Sequence, residues 1–60
     1  MTVIINYKRY NNDDSYEIKS YIEKYIDGVI SYGEKELIVI NGSNTVRFDH
    51  IVQFSIINDN

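Results

Sequence analysis

Ser15-Tyr16-Glu17-Ile18-Lys19-Ser20-Tyr21-Ile22-Glu23-Lys24-Tyr25-Ile26-Asp27-Gly28 is the stretch whose reading decides the fold. Its apolar residues, Ile18, Tyr21, Ile22, Tyr25 and Ile26, recur at the spacing of one helix face, and Val29 extends the series. The intervening Glu17, Lys19, Ser20, Glu23, Lys24 and Asp27 are polar. Strand alternation fits less well, because Tyr21-Ile22 and Tyr25-Ile26 would send adjacent apolar side chains to opposite faces. Asp14 stands where an N-cap belongs, with Glu17 three residues on as a capping-box partner. Gly28 stands where a left-handed C-terminal cap belongs. Ile, Tyr and Ser each cost a few tenths of a kcal/mol relative to Ala in a helix. Packing of an amphipathic face normally outweighs that. The spacing therefore predicts a helix over 15–27.

The segments on either side read as strands. Before it, Val3, Ile5 and Tyr7 alternate with Ile4, Asn6 and Lys8, and Tyr10 to Ser15 is a polar connection. After it come Val29 to Tyr32, a turn at Gly33-Glu34-Lys35, and the most apolar strand, Glu36 to Asn41. Gly42-Ser43-Asn44 is a hairpin turn, since Gly and Asn tolerate positive φ. Thr45 to Asp49 alternates with Val46 and Phe48 inward, and Ile51 to Ile57 follows with Val52, Phe54 and Ile56 on the expected core face. The expected class is α+β: one helix packed on a four- to five-stranded antiparallel sheet, in the order β-α-β-β-β-β, as a single small domain over 1–60. The alternative is an all-β small barrel with residues 16 to 27 extended.

That arrangement leaves apolar residues over. Ile4, Ile38, Ile40, Ile51 and Ile57 would line the sheet face that the helix does not cover, and a contiguous exposed patch marks an interface. A domain of about 60 residues buries only about 60% of the surface its unfolded chain exposes. Small domains are therefore stapled by disulfides, metals or partner subunits. The chain has no cysteine and a single histidine, His50, which removes disulfides and thiolate metal sites and leaves no four-ligand zinc set. Self-association, as a homodimer, is the remaining staple.

Charge and composition narrow the partners. The formal net charge is −3, and the six basic residues form no cluster beyond Lys8-Arg9. Nucleic-acid binders normally carry a basic patch, because phosphate neutralisation supplies most of the affinity. A protein partner with a basic surface fits better. The run Thr2 to Ile5 is short for a signal-peptide core and has no basic region before it. No apolar run approaches the roughly 20 residues of a membrane span. The expected compartment is the cytoplasm, of a bacterial cell or of a phage-infected host. Alanine is absent and leucine occurs once, whereas Ile, Tyr and Asn are plentiful. Such a bias is what AT-rich coding produces, and in style it resembles short proteins of low-GC bacteria and their phages.

No pattern specifies catalysis. Asp49-His50 sets an acid beside an imidazole, but neighbours in a strand face apart, and a turn with a solvated histidine accounts for the pair. Asn11 to Ser15 with Glu17 is oxygen-rich, yet it lacks the twelve-residue calcium-loop spacing and its glycine. Asn41-Gly42-Ser43 matches a glycosylation acceptor but reads as a turn. Neither a cofactor nor a metal is expected, and the chain is expected not to be an enzyme. The expected function is a small protein-binding module, in the setting of a phage or mobile-element inhibitor that occludes a bacterial host protein. Candidate contacts are Tyr10, Tyr16, Tyr32, Glu17, Glu23 and Asp27, the tyrosines as recognition hot spots and the acids for steering. Nucleic-acid binding through stacked tyrosines and a structural assembly role are the alternatives.

Overall fold

Residues 15–27 hold no helix. In the computed structural model, which describes residues 1–58, Tyr16–Glu23 is a strand and the described residues are all-β. The elements are β1 (Thr2–Tyr10), β2 (Tyr16–Glu23), β3 (Gly28–Gly33), β4 (Glu36–Asn41), β5 (Asn44–Phe48) and β6 (Ile51–Ile57). They form two three-stranded antiparallel sheets, ordered β2-β1-β6 and β3-β4-β5. The α+β expectation is thus corrected. The all-β alternative has the right class, but there is no closed barrel.

The correction has a physical basis in β2. A helix here would stand on residues with poor helix propensity, whereas Ile and Tyr suit a pleated, half-buried surface. Pairing with β1 supplies backbone bonds along the full length, from Val3 opposite Glu23 to Tyr10 opposite Tyr16. Neither supposed cap acts as one. Asp14 lies in the β1–β2 turn at φ 68°, where its N–H donates to the Asn11 carbonyl at 3.2 Å. Gly28 opens β3, and the left-handed residue in this region is Tyr25, at φ 62°.

Directly opposed residues in an antiparallel pair share a face. Val3, Ile5 and Tyr7 therefore face the same way as Tyr21 of β2 and as Ile51, Phe54 and Ile56 of β6. The register shifts between Asn6 and Tyr7, so that Val52 is extra on the β6 side. That bulge turns Ile51 inward, and it is buried in the core, away from the second face where simple alternation puts it. In the other sheet Leu37 and Val39 share a face with Phe48, Val46 and Val29.

The two inner faces meet in one core of Val3, Ile5, Ile26, Leu37, Val39, Phe48 and Ile51. Burying each such side chain is worth about 1.5–3 kcal/mol. Phe48 carries the contact between sheets, with ring centroids 5.2 Å from Tyr7 and 4.7 Å from Tyr21. Ile26 makes the crossover: its N–H donates to the Met1 carbonyl, while the N–H of Asp27 donates to the Ile40 carbonyl. The molecule is elongated, 42 × 19 × 18 Å. No helix among the described residues is long and apolar enough to cross a membrane.

Candidate functional site

The β1–β2 hairpin puts Tyr10 directly opposite Tyr16, with ring centroids 5.6 Å apart. Its loop is held by its own polar side chains. The Asn11 N–H donates to the Ser15 carbonyl at 2.8 Å, and Asp13 accepts bonds from both the Ser15 N–H and the Ser15 hydroxyl. Those bonds, the hydroxyl's first, hold the Asp13 carboxyl below its ordinary value. The acidic stretch is thus a turn that fixes two tyrosines.

Two further turns close on the same end of the molecule. The N–H of Lys8 donates to the His50 carbonyl at 3.0 Å, and that of Ile51 donates to the Lys35 carbonyl at 3.1 Å. His50 sits at φ 58°, a conformation that His adopts more readily than most residues. Its imidazole stands edge-on to Tyr10 at 5.0 Å. The Lys8 ammonium lies 4.6 Å over the Tyr16 ring. Between these groups is a cleft of about 240 Å³ lined by Lys8, Tyr10, Lys35, His50, Ile51 and Val52.

Tyr32 lies beside it, at the end of β3. Its hydroxyl donates to Asp49 at 3.4 Å, the Arg47 Nε donates to the same carboxyl at 3.2 Å, and the guanidinium lies 5.2 Å from the Tyr32 ring. Loss of hydration, opposed by Arg47 and reinforced by Asp49 and Glu36, pushes the Tyr32 phenol above its ordinary value. Asp49 is committed to Arg47 and Tyr32, while His50 turns to Tyr10, so the adjacent acid and imidazole do not form a catalytic pair. Among the described residues no group of three or more His, Cys, Asp or Glu could hold a metal ion.

The six expected contact residues separate into two sets. Tyr10, Tyr16, Tyr32 and Glu17 lie at this pole, where Glu17 makes an exposed ion pair with Lys19 at 3.8 Å. Glu23, opposite Val3, and Asp27, whose carboxylate accepts the Gly42 N–H, lie at the other pole. Six residue steps along the strand separate Glu17 from Glu23, about 20 Å. The five isoleucines expected at an oligomer interface separate as well. Ile4 and Ile57 are on the outer face of one sheet, Ile38 and Ile40 on the outer face of the other, and Ile51 is in the core.

Sequence reasoning missed Lys8, Lys35 and His50 as neighbours, since only the register and the turns bring them together. It also missed the bareness of β6. Phe54 and Ile56 face inward beside the buried Ile5 and Val3, yet they are 42% and 44% exposed, because the second sheet does not reach over this strand. β6 is an edge strand, Ile-Val-Gln-Phe-Ser-Ile-Ile, without a charge. The alternation of that run identifies the strand but places Val52, Phe54 and Ile56 on a covered face, whereas all three are exposed. Comparison of the chain with protein-family models, curated proteins and solved structures gives no match.

Proposed function

We propose that the chain is a small non-enzymatic protein-binding module whose contact surface is the tyrosine pole. The observation that carries this reading is the juxtaposition of Tyr10 and Tyr16, each about half exposed, with Tyr32 at the same end. Ordered, exposed tyrosines offer a large amphipathic contact area at little further entropy cost, which is why they dominate recognition hot spots. The charge-free edge of β6 supports self-association into a homodimer. The biological setting we favour is a phage or mobile-element protein that occludes a host protein in the bacterial cytoplasm. Nucleic acid is the weaker reading, because the basic residues form no extended track for a phosphate backbone in a chain of net charge −3.

The test compares the wild-type chain with the Tyr10→Ala/Tyr16→Ala double variant as immobilised bait in host lysate. Retention of one host protein by the wild type and its loss from the double variant supports the reading. Equal capture by both, or none by either at micromolar bait, removes it.

A further inference from the structure

We propose that the cleft beside Tyr10 binds one doubly charged oxyanion of the phosphate-monoester class. Lys8, Lys35 and His50 line it, and no carboxylate does. In a chain of net charge −3 that is a local reversal of sign. Lys19 and Arg47 have carboxylate partners within 4.0 Å, whereas the ammonium groups of Lys8 and Lys35 have none among the described residues. The Lys8 ammonium lies over the Tyr16 ring, the His50 imidazole stands against Tyr10, and backbone bonds fix the chain at His50 and Lys35. Lys8 and His50 are thus placed before binding, and the exposed Lys35 side chain is what a ligand would still have to order.

Size and wall chemistry set the ligand class. A volume of about 240 Å³ is below the usual range of about 300–1,000 Å³ for drug-sized ligands. It has room for one tetrahedral oxyanion with a small organic group, the far side of which would stay in solvent. Two ammonium groups and an imidazole over-match a singly charged carboxylate but suit a dianion, and lysine serves phosphate as a point charge. Tyr10, Ile51 and Val52 supply an apolar wall for the esterified group, as bare phosphate would not require. The inference deepens the reading of this pole as the contact surface, by naming what a partner would insert there. It is tested without any partner, so the two can fail separately.

The experiment follows backbone amide shifts by NMR at neutral pH while phenyl phosphate, inorganic phosphate or phenol is added at constant ionic strength. Phenyl phosphate is expected to give saturable shifts at Tyr10, His50 and Ile51, inorganic phosphate weaker shifts at the same amides, and phenol none. Lys8→Gln and Lys35→Gln should each weaken phenyl phosphate about three- to tenfold, as loss of one charge-assisted contact does. Lys24→Gln, at the other pole, should leave it unchanged. The amide spectrum itself reports whether each variant folds. Shifts that do not saturate, a Lys35→Gln response equal to wild type, or phenol binding as well as its phosphate overturns the proposal. Inorganic phosphate binding as tightly as the ester overturns the ester class.

Discussion

Tyr25→Gly separates the strand-and-turn structure from a helix by the sign of its effect. Tyr25 is 84% exposed and sits at φ 62°. A left-handed backbone costs an L-residue roughly 1–2 kcal/mol, and glycine none. Against that gain stands the extra freedom of glycine in the unfolded chain, about 0.5–1 kcal/mol. Little of the ring is covered, so its removal forfeits little packing. The substitution should therefore stabilise the protein by about 0.5–1 kcal/mol. In a domain of this size that raises the melting temperature by about 2–8 °C. Were 15–27 a helix with Tyr25 on its buried stripe, the same change would remove about 0.5 kcal/mol of propensity and about 3–5 kcal/mol of aromatic burial. Urea unfolding followed by circular dichroism, at one fixed protein concentration, measures the difference. A loss exceeding 1 kcal/mol would refute the assignment of Tyr25 to a strained turn.

Phe54→Lys tests the bare edge: the side chain is already 42% exposed, so the fold should survive, while a charge on β6 blocks strand pairing. Sedimentation should show a dimer for the wild type near 100 μM and a monomer for the variant, and a wild-type monomer at that concentration would count against self-association. Asp13→Asn tests the hairpin loop through pH. Because the folded-state carboxyl is depressed, its contribution is present above the unfolded value near 3.8 and is lost as pH falls through the folded one. The variant should show a smaller fall in stability below about pH 4, read from thermal midpoints across that range.

Most strand boundaries were legible because alternation and turn chemistry agree. The expected spans Glu36 to Asn41, Thr45 to Asp49 and Ile51 to Ile57 lie within a residue of β4, β5 and β6. Residues 15–27 misled because a spacing of four serves both periods. Ile18 and Ile22 share a face in a strand as in a helix, and so do Tyr21 and Tyr25. Only the i, i+3 relations separate the two, and β2 breaks them: Ile18 and Ile22 face outward, 56% and 64% exposed, while Tyr21 faces in with Lys19. An edge strand tolerates such mixed faces because solvent reaches both. The absent alanine and scarce leucine were the available warning. The candidate site was half legible, its tyrosines visible as exposed hot-spot residues and its cations not, since Lys8 is bonded to His50 and Lys35 to Ile51 through backbone groups far apart in sequence.

The surplus of apolar residues survives the change of fold, but it moves. With a helix over the sheet, the uncovered residues would be the isoleucines of a single second face. With two sheets, each covers most of the other's inner face; Ile51 joins the core, while Ile4 and Ile57 lie on one outer face and Ile38 and Ile40 on the other. Scattered isoleucines of that kind, half-buried except for Ile57, need no partner. The exposed apolar side chains that do gather are on β6, where Val52, Phe54, Ile56 and Ile57 share a strand with one unpaired edge and no charge to guard it. The other edge of that sheet, β2, carries Glu17, Lys19 and Glu23. Charges on an edge strand oppose pairing with another chain, so β2 is guarded and β6 is open. The tyrosine pole and the β6 edge meet at Ile51 and Val52, which line the cleft and begin the strand. A partner strand laid along β6 would therefore end beside the cleft, and pairing and anion capture would act on one continuous surface.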